Sequence, residues 1–128
     1  MKLNTDCIRD ILLSVENITD FDTPFCYSKT DNSHELLTKY EHNEIVYHIQ
    51  QCQMSNFFTK LTYYECSDTI HIDDLTPKGH DFIANIRSDK IFNKSKNVAS
   101  KIGTTSLNAF IQISTGVITQ LINHELGF

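Results

Sequence analysis

The stretch that most constrains this chain is residues 70–87, IHIDDLTPKGHDFIANIR. It begins with strand-like alternation and, after two aspartates, turns to helical spacing. Thr76 can accept a hydrogen bond from a free N–H of the first turn, and Pro77 sits where its missing N–H costs nothing. Behind that start, Gly79, Phe82, Ile83 and Ile86 fall on one face. A short strand is therefore delivered straight into a helix.

With 128 residues the chain is long enough for one domain with a sizeable core. We divide it into a core over 1–87 and a helical extension over 88–128. Lys2 is followed by Leu3, Asn4, Thr5 and Asp6 without an apolar run, so neither an export signal nor a membrane span is expected, and the reading is a cytoplasmic protein. Cys7, Cys26, Cys52 and Cys66 are scattered, with no CxxC pair to nucleate zinc. They read as reduced thiols, and no metal or cofactor is expected.

In chain order, Asn4 or Thr5 caps a first helix over 5–15, with Ile8, Ile11, Leu12 and Val15 as its apolar stripe. Residues 16–32 read as loop, with 25–27 tacked onto the core. Leu36 and Leu37 fit a short strand or one helical turn. A second helix over 41–53 buries Ile45, His48, Ile49 and Cys52 and shows Asn43, Glu44, Tyr47, Gln50 and Gln51. Two strands follow, over 57–64 and 69–72, joined by a turn at 65–68. After the helix at Thr76 come helices over 89–102 and 105–124, separated by Gly103.

Helix, short segment, helix, two-stranded hairpin and further helices make an α+β, mostly helical fold: a winged-helix-like core with two C-terminal helices. The segments KLNTDCIRDILLSVE, EIVYHI, LTPKGHDFIANIRSDKIF and KIGTTSLNAF, in this order, resemble a small phage and prophage family known as domain of unknown function 2513. LTPKGHDF followed by IRSD is the most specific part. Where relatives continue the second helix into an Ala-Gly-Leu-Ile type turn, this chain reads QCQMSNFF. The resemblance implies a winged-helix-like fold and an origin in a mobile element, hence a location in the host cytoplasm. It implies no activity.

No GxSxG, Walker or dinucleotide pattern is present, so no catalytic residue is assigned. His48 and His80 read as structural, at inward-facing helical positions, alongside the cap Thr76 and Gly79. His34, His42, His71 and His124 read as solvent-exposed. Asp73 and Asp74 suit the positive end of a helix better than a divalent ion. Candidate contacts are Asn43, Tyr47, Gln50 and Gln51 on the second helix, Lys60 in the first strand of the wing, and Lys90, Lys94 and Lys101 along one side of the helix over 89–102.

Charge sets the limits on function. Residues 1–77 hold five lysines and arginines against thirteen aspartates and glutamates, a net of −8, whereas 78–101 hold six against two, a net of +4. A wing carrying Glu65, Asp68, Asp73 and Asp74 repels phosphates, the main source of affinity for a duplex. The expectation is a small non-enzymatic binding module that regulates through winged-helix-type contacts with DNA or a transcription complex. The alternative is a protein-binding accessory factor that inhibits a host defence or replication protein. DNA is a weak partner at net charge −5 and a host or phage protein the stronger one. The broad apolar stripe of 105–124 also suits a homodimer contact.

Overall fold

A computed structural model describes residues 1–128, the side chain of Ser67 excepted. The chain is α+β and mostly helical: α1 (Thr5–Ile18), β1 (Phe25–Ser28), α2 (His42–Met54), β2 (Leu61–Tyr64), β3 (Thr69–Ile72), α3 (Pro77–Ile86), α4 (Asp89–Ile102) and α5 (Leu107–Glu125). Single 3-10 turns stand at Glu35–Leu37 and Glu65–Ser67. Its backbone forms two compact units, Asn4–Asp81, and Phe82–Phe128 with Met1–Leu3. No helix among the described residues is long and apolar enough to cross a membrane.

In the Asn4–Asp81 unit the sheet has three antiparallel strands, ordered β1-β3-β2, rather than the two of a simple hairpin. The third strand comes from Phe25–Ser28, inside the stretch expected to be loop. Its signal is weak because only four residues pair, with Pro24 directly before them. Phe25 lies opposite Ile72 and Tyr27 opposite Ile70, and all four are buried. Leu61 and Tyr63 pair with the same two isoleucines from the other side. Cys26, Thr62, Tyr64 and His71 alternate onto the opposite face.

Strand β2 is shorter than expected. Phe57 and Phe58 lie outside it but are buried, and Phe58 makes an isolated bridge to Leu75. The turn after β2 lacks glycine, and Glu65 and Cys66 both take left-handed backbone angles (φ 51° and 56°). Such angles ordinarily favour Asn-Gly or Asp-Gly, so this turn takes them without the usual sequence signal.

The helix ends follow local chemistry. Asn4 caps α1 by accepting from the N–H groups of Asp6 and Cys7, and the helix runs three residues past the expected stop to Ile18. Helix α2 ends with Asn56 in the left-handed region (φ 62°), where the Asn56 N–H donates to the Gln53 carbonyl and the Phe57 N–H to that of Cys52. The Phe57 carbonyl then accepts from the Thr76 N–H, while the Thr76 hydroxyl donates to the Asn56 carbonyl and accepts from the Gly79 N–H. A Cβ on Gly79 would lie 2.5 Å from the Phe57 carbonyl oxygen, so glycine is required for this close approach. The start of α3 is thereby locked onto the end of α2's cap.

In the second unit, α4 closes on Gly103 in the left-handed region (φ 83°) and Ser106 caps α5 through the Ala109 N–H. The rings of Phe82 and Phe92 both meet Phe110 edge-on, at 6.3 and 5.9 Å between centroids. Of the broad apolar set expected on the last helix, Phe110 and Val117 are buried; Leu107, Ile111, Ile118 and Leu121 are half-buried and Ile122 is exposed.

Candidate functional site

The outer side of α2 carries the residues expected to make contacts. Asn43 and Gln50 are exposed, Tyr47 and Gln51 half-buried. Gln53 and Met54 join them as exposed residues at the C-terminal end, and Met54 is 68% exposed. The Tyr63 hydroxyl of β2 lies 3.5 Å from Gln53 Oε1. Partial burial raises the Tyr63 pKa, against a hydrogen bond from Gln50 that lowers it. Two glutamines of α2 therefore stand beside one tyrosine of the sheet. Tyr63 was not among the expected contact residues. Its register opposite Ile70 turns it to the helix side of the sheet, and a strand without a known neighbour carries no such information. Lys60 is exposed just before β2.

In the other unit Lys90, Lys94 and Lys101 are exposed on α4. Their spacing places them on one side. Lys94 also lines an open groove of about 490 Å³ with Gln120, Leu121, Asn123, His124 and Phe128.

The two histidines read as structural part company. His48 is fully buried: its Nδ1 is 2.8 Å from the Glu44 carbonyl and its Nε2 accepts the Asn4 N–H at 2.8 Å. The neutral ring with its proton on Nδ1 satisfies both bonds. His80, by contrast, has a side chain 52% exposed, with Nε2 3.9 Å from Asp74 Oδ1. The inward reading of His80 is therefore corrected. It follows buried Gly79, but the first turn of α3 presents only the glycine to the core. Asp74 Oδ1 accepts from the Leu75 N–H and the Thr19 hydroxyl, anchoring the approach to α3.

His34 and His42 are also corrected, because neither is freely solvated. His42 Nδ1 and the buried Tyr27 hydroxyl lie 2.8 Å apart, with Asp68 3.6 Å from His42 Nε2. His34 Nε2 lies 2.6 Å from the Cys26 carbonyl and its ring packs 4.4 Å from Phe25. Both line a small cavity of about 70 Å³ with Tyr27 and Tyr40, room for little more than water. Nothing in the spacing of these histidines marks them, since Phe25, Cys26 and Tyr27 reach them from β1, in a stretch that the sequence pattern gives as loop, and Asp68 from the turn before β3.

Cys7, Glu44 and His48 form a third cluster, with ligand-type atoms within 4.8 Å of one another. Those atoms are already committed. Glu44 Oε1 accepts from Asn4 Nδ2, and both His48 nitrogens are engaged. Burial first, then the charge of Glu44, pushes the Cys7 thiol from 9.0 up to about 12. A cation here would have to take His48 from the Asn4 N–H at the positive end of α1. The cluster fits a hydrogen-bonded joint between α1 and α2 better than a metal centre. Its one legible sign was Glu44 four residues before inward-facing His48.

A family described as hypothetical protein, DUF2513, matches residues 2–106. An uncharacterized protein of Haemophilus influenzae is 27% identical over 124 residues, spanning 95% of this chain and 99% of its own length. No solved structure matches.

Proposed function

We propose, on the premise that the chain belongs to the DUF2513 family, that it is a non-enzymatic binding module whose partner is a protein rather than duplex DNA. One observation carries this reading: charge divides along the two units. Asn4–Asp81 holds five lysines and arginines against fourteen aspartates and glutamates, a net of −9. Phe82–Phe128 with Met1–Leu3 holds six against two, a net of +4. Within the first unit, the order helix, strand, helical turn, helix and hairpin, with β1 paired to the second hairpin strand, supports a winged-helix-type arrangement. Helix α2 then holds the place a recognition helix takes. Its uncharged outer residues could touch base edges, but an acidic surround does not hold a phosphate backbone. The groups around His48, His42 and His34 are committed to structural bonds, which supports a non-catalytic reading. An accessory factor that inhibits a host defence or replication protein fits this charge pattern better than a DNA-bound regulator.

The second reading, DNA or a transcription complex, rests on Lys90, Lys94 and Lys101 along α4. Fluorescence anisotropy of a labelled generic duplex decides between the two. No saturable binding at about 50 mM salt is expected. Tight binding that falls steeply with salt, and is lost when those three lysines become glutamate, would establish the DNA reading instead. We also propose a homodimer contact through 105–124, where Ile122 of α5 is exposed.

A further inference from the structure

The outward side of α2 is a stripe without charge in a unit of net −9. Asn43, Tyr47, Gln50 and Met54 recur every three or four residues, opposite the buried Ile45, His48, Ile49 and Cys52. The stripe continues sideways through Gln53 to Tyr63 on β2, which is an edge strand of the sheet. Exposed carboxylates flank its elements in sequence, Glu41 directly before α2 and Glu65 directly after β2.

This composition does not suit the other ligand classes. A small molecule needs a concavity, whereas this face is a helix ridge beside a strand. A duplex needs cations for its phosphates, and the five of this unit are outnumbered by its fourteen carboxylates. An uncharged centre of Met, Tyr and Gln with a charged rim is, however, the make-up of a protein-protein contact. Met adapts to varied apolar shapes, and Tyr provides area at little conformational cost.

From this we infer that Tyr47, Gln50, Gln53, Met54 and Tyr63 form a docking face for a folded protein whose contact surface is apolar at its centre and basic at its rim. The charge sign comes from the net −9 of the unit that carries the face, which steers a basic partner and repels an acidic one. This inference rests on the protein-binding reading above and assigns it a place and a partner chemistry.

Site-specific photo-crosslinking in the native cell tests it, with the full chain carrying p-benzoylphenylalanine at Gln50 or, as a control, at Gln112 on α5. The expected result is one discrete, nuclease-resistant adduct from position 50, mapped to a Lys/Arg-rich peptide of another protein. Adding Met54→Glu should lower its yield about tenfold, the cost of a misplaced charge at a contact centre. An unchanged melting temperature would show that this variant still folds. The assignment is overturned by no adduct from position 50, by one to an acidic peptide or to a second copy of this chain, or by one that Met54→Glu leaves intact. An adduct from Gln112 alone would sink the assignment and leave the protein-binding reading standing. A nuclease-sensitive adduct at position 50 would sink both.

Discussion

In Asn4–Asp81 the elements are tied by polar side chains that reach from one to another. Asn4 bonds both Glu44 and His48, Tyr40 and Lys39 converge on the buried carboxylate of Asp10, and Tyr27 meets His42. In Phe82–Phe128 the buried serines bond inside their own helices, Ser95 to the Ile91 carbonyl and Ser114 to that of Ile111, and the core is apolar, three phenylalanine rings with Ile83, Ile86, Ala99 and Val117. Polar joints fix one geometry and are costly to break, because a buried partner is left unpaired. Apolar packing tolerates changes of shape as long as volume is kept. The acidic unit should therefore be brittle to substitution and the helical unit forgiving.

The largest expected effect is at Gly79. Gly79→Ala drives a methyl into the Phe57 carbonyl and should cost about 2–3 kcal/mol in urea unfolding. A loss under about 0.5 kcal/mol would mean that the Thr76 joint is looser than the unit's other polar ties.

Next comes His48→Ala, which leaves the Asn4 N–H without its acceptor and should cost about 1–3 kcal/mol. His80→Ala, at an exposed site in the same unit, should stay within about 0.5 kcal/mol. Equal losses would erase the distinction between the two histidines.

Alkaline pH acts in one direction. The buried Cys7 thiol keeps its proton up to about 12 when folded, against 9.0 when exposed, and burial raises Cys52 in the same sense. The unfolded chain releases these protons first, so stability is full below pH 9.0 and drains as pH rises towards 12. Urea midpoints at about pH 8 and about pH 10.5 should differ, and Cys7→Ala should flatten the slope.

The smallest effect has the opposite sign and falls in the helical unit. Gly116 sits mid-helix with open space where a Cβ would stand. Gly116→Ala should stabilise by about 0.5–1 kcal/mol. Ile122→Glu, at an exposed site, should leave the melting temperature in place and convert any dimer seen by light scattering to monomer. A monomer mass at micromolar concentration before the substitution would remove the dimer proposal.

Much of this architecture was legible because caps and periodicity are local. Asn4, Thr76 and Gly103 mark the ends of α1, α3 and α4 directly, and α4 begins and ends where its spacing predicts. Strand β1 was not legible. Four residues after a proline become a strand only because β3 offers an edge, and pairing between residues some 45 positions apart leaves no trace in spacing. The half-buried settings of His34 and His42 were lost with it. Of the candidate contact face, Tyr47 and Gln50 followed from the helical period of α2. Tyr63 needed the strand register, and Met54 needed a helix end one residue later than expected.

The four cysteines are free, and the fold sorts them: Cys26 and Cys66 are exposed, while Cys7 on α1 and Cys52 on α2 are buried. A thiol reagent in excess would thus meet two populations. The outer pair should react at once, whereas the inner pair waits for α1 and α2 to come apart. The slow phase then becomes a stopwatch for that opening, readable by mass spectrometry without any label being engineered in. Run with and without a bound partner, it would report how far occupancy of the α2 face slows the breathing of the helices beneath it.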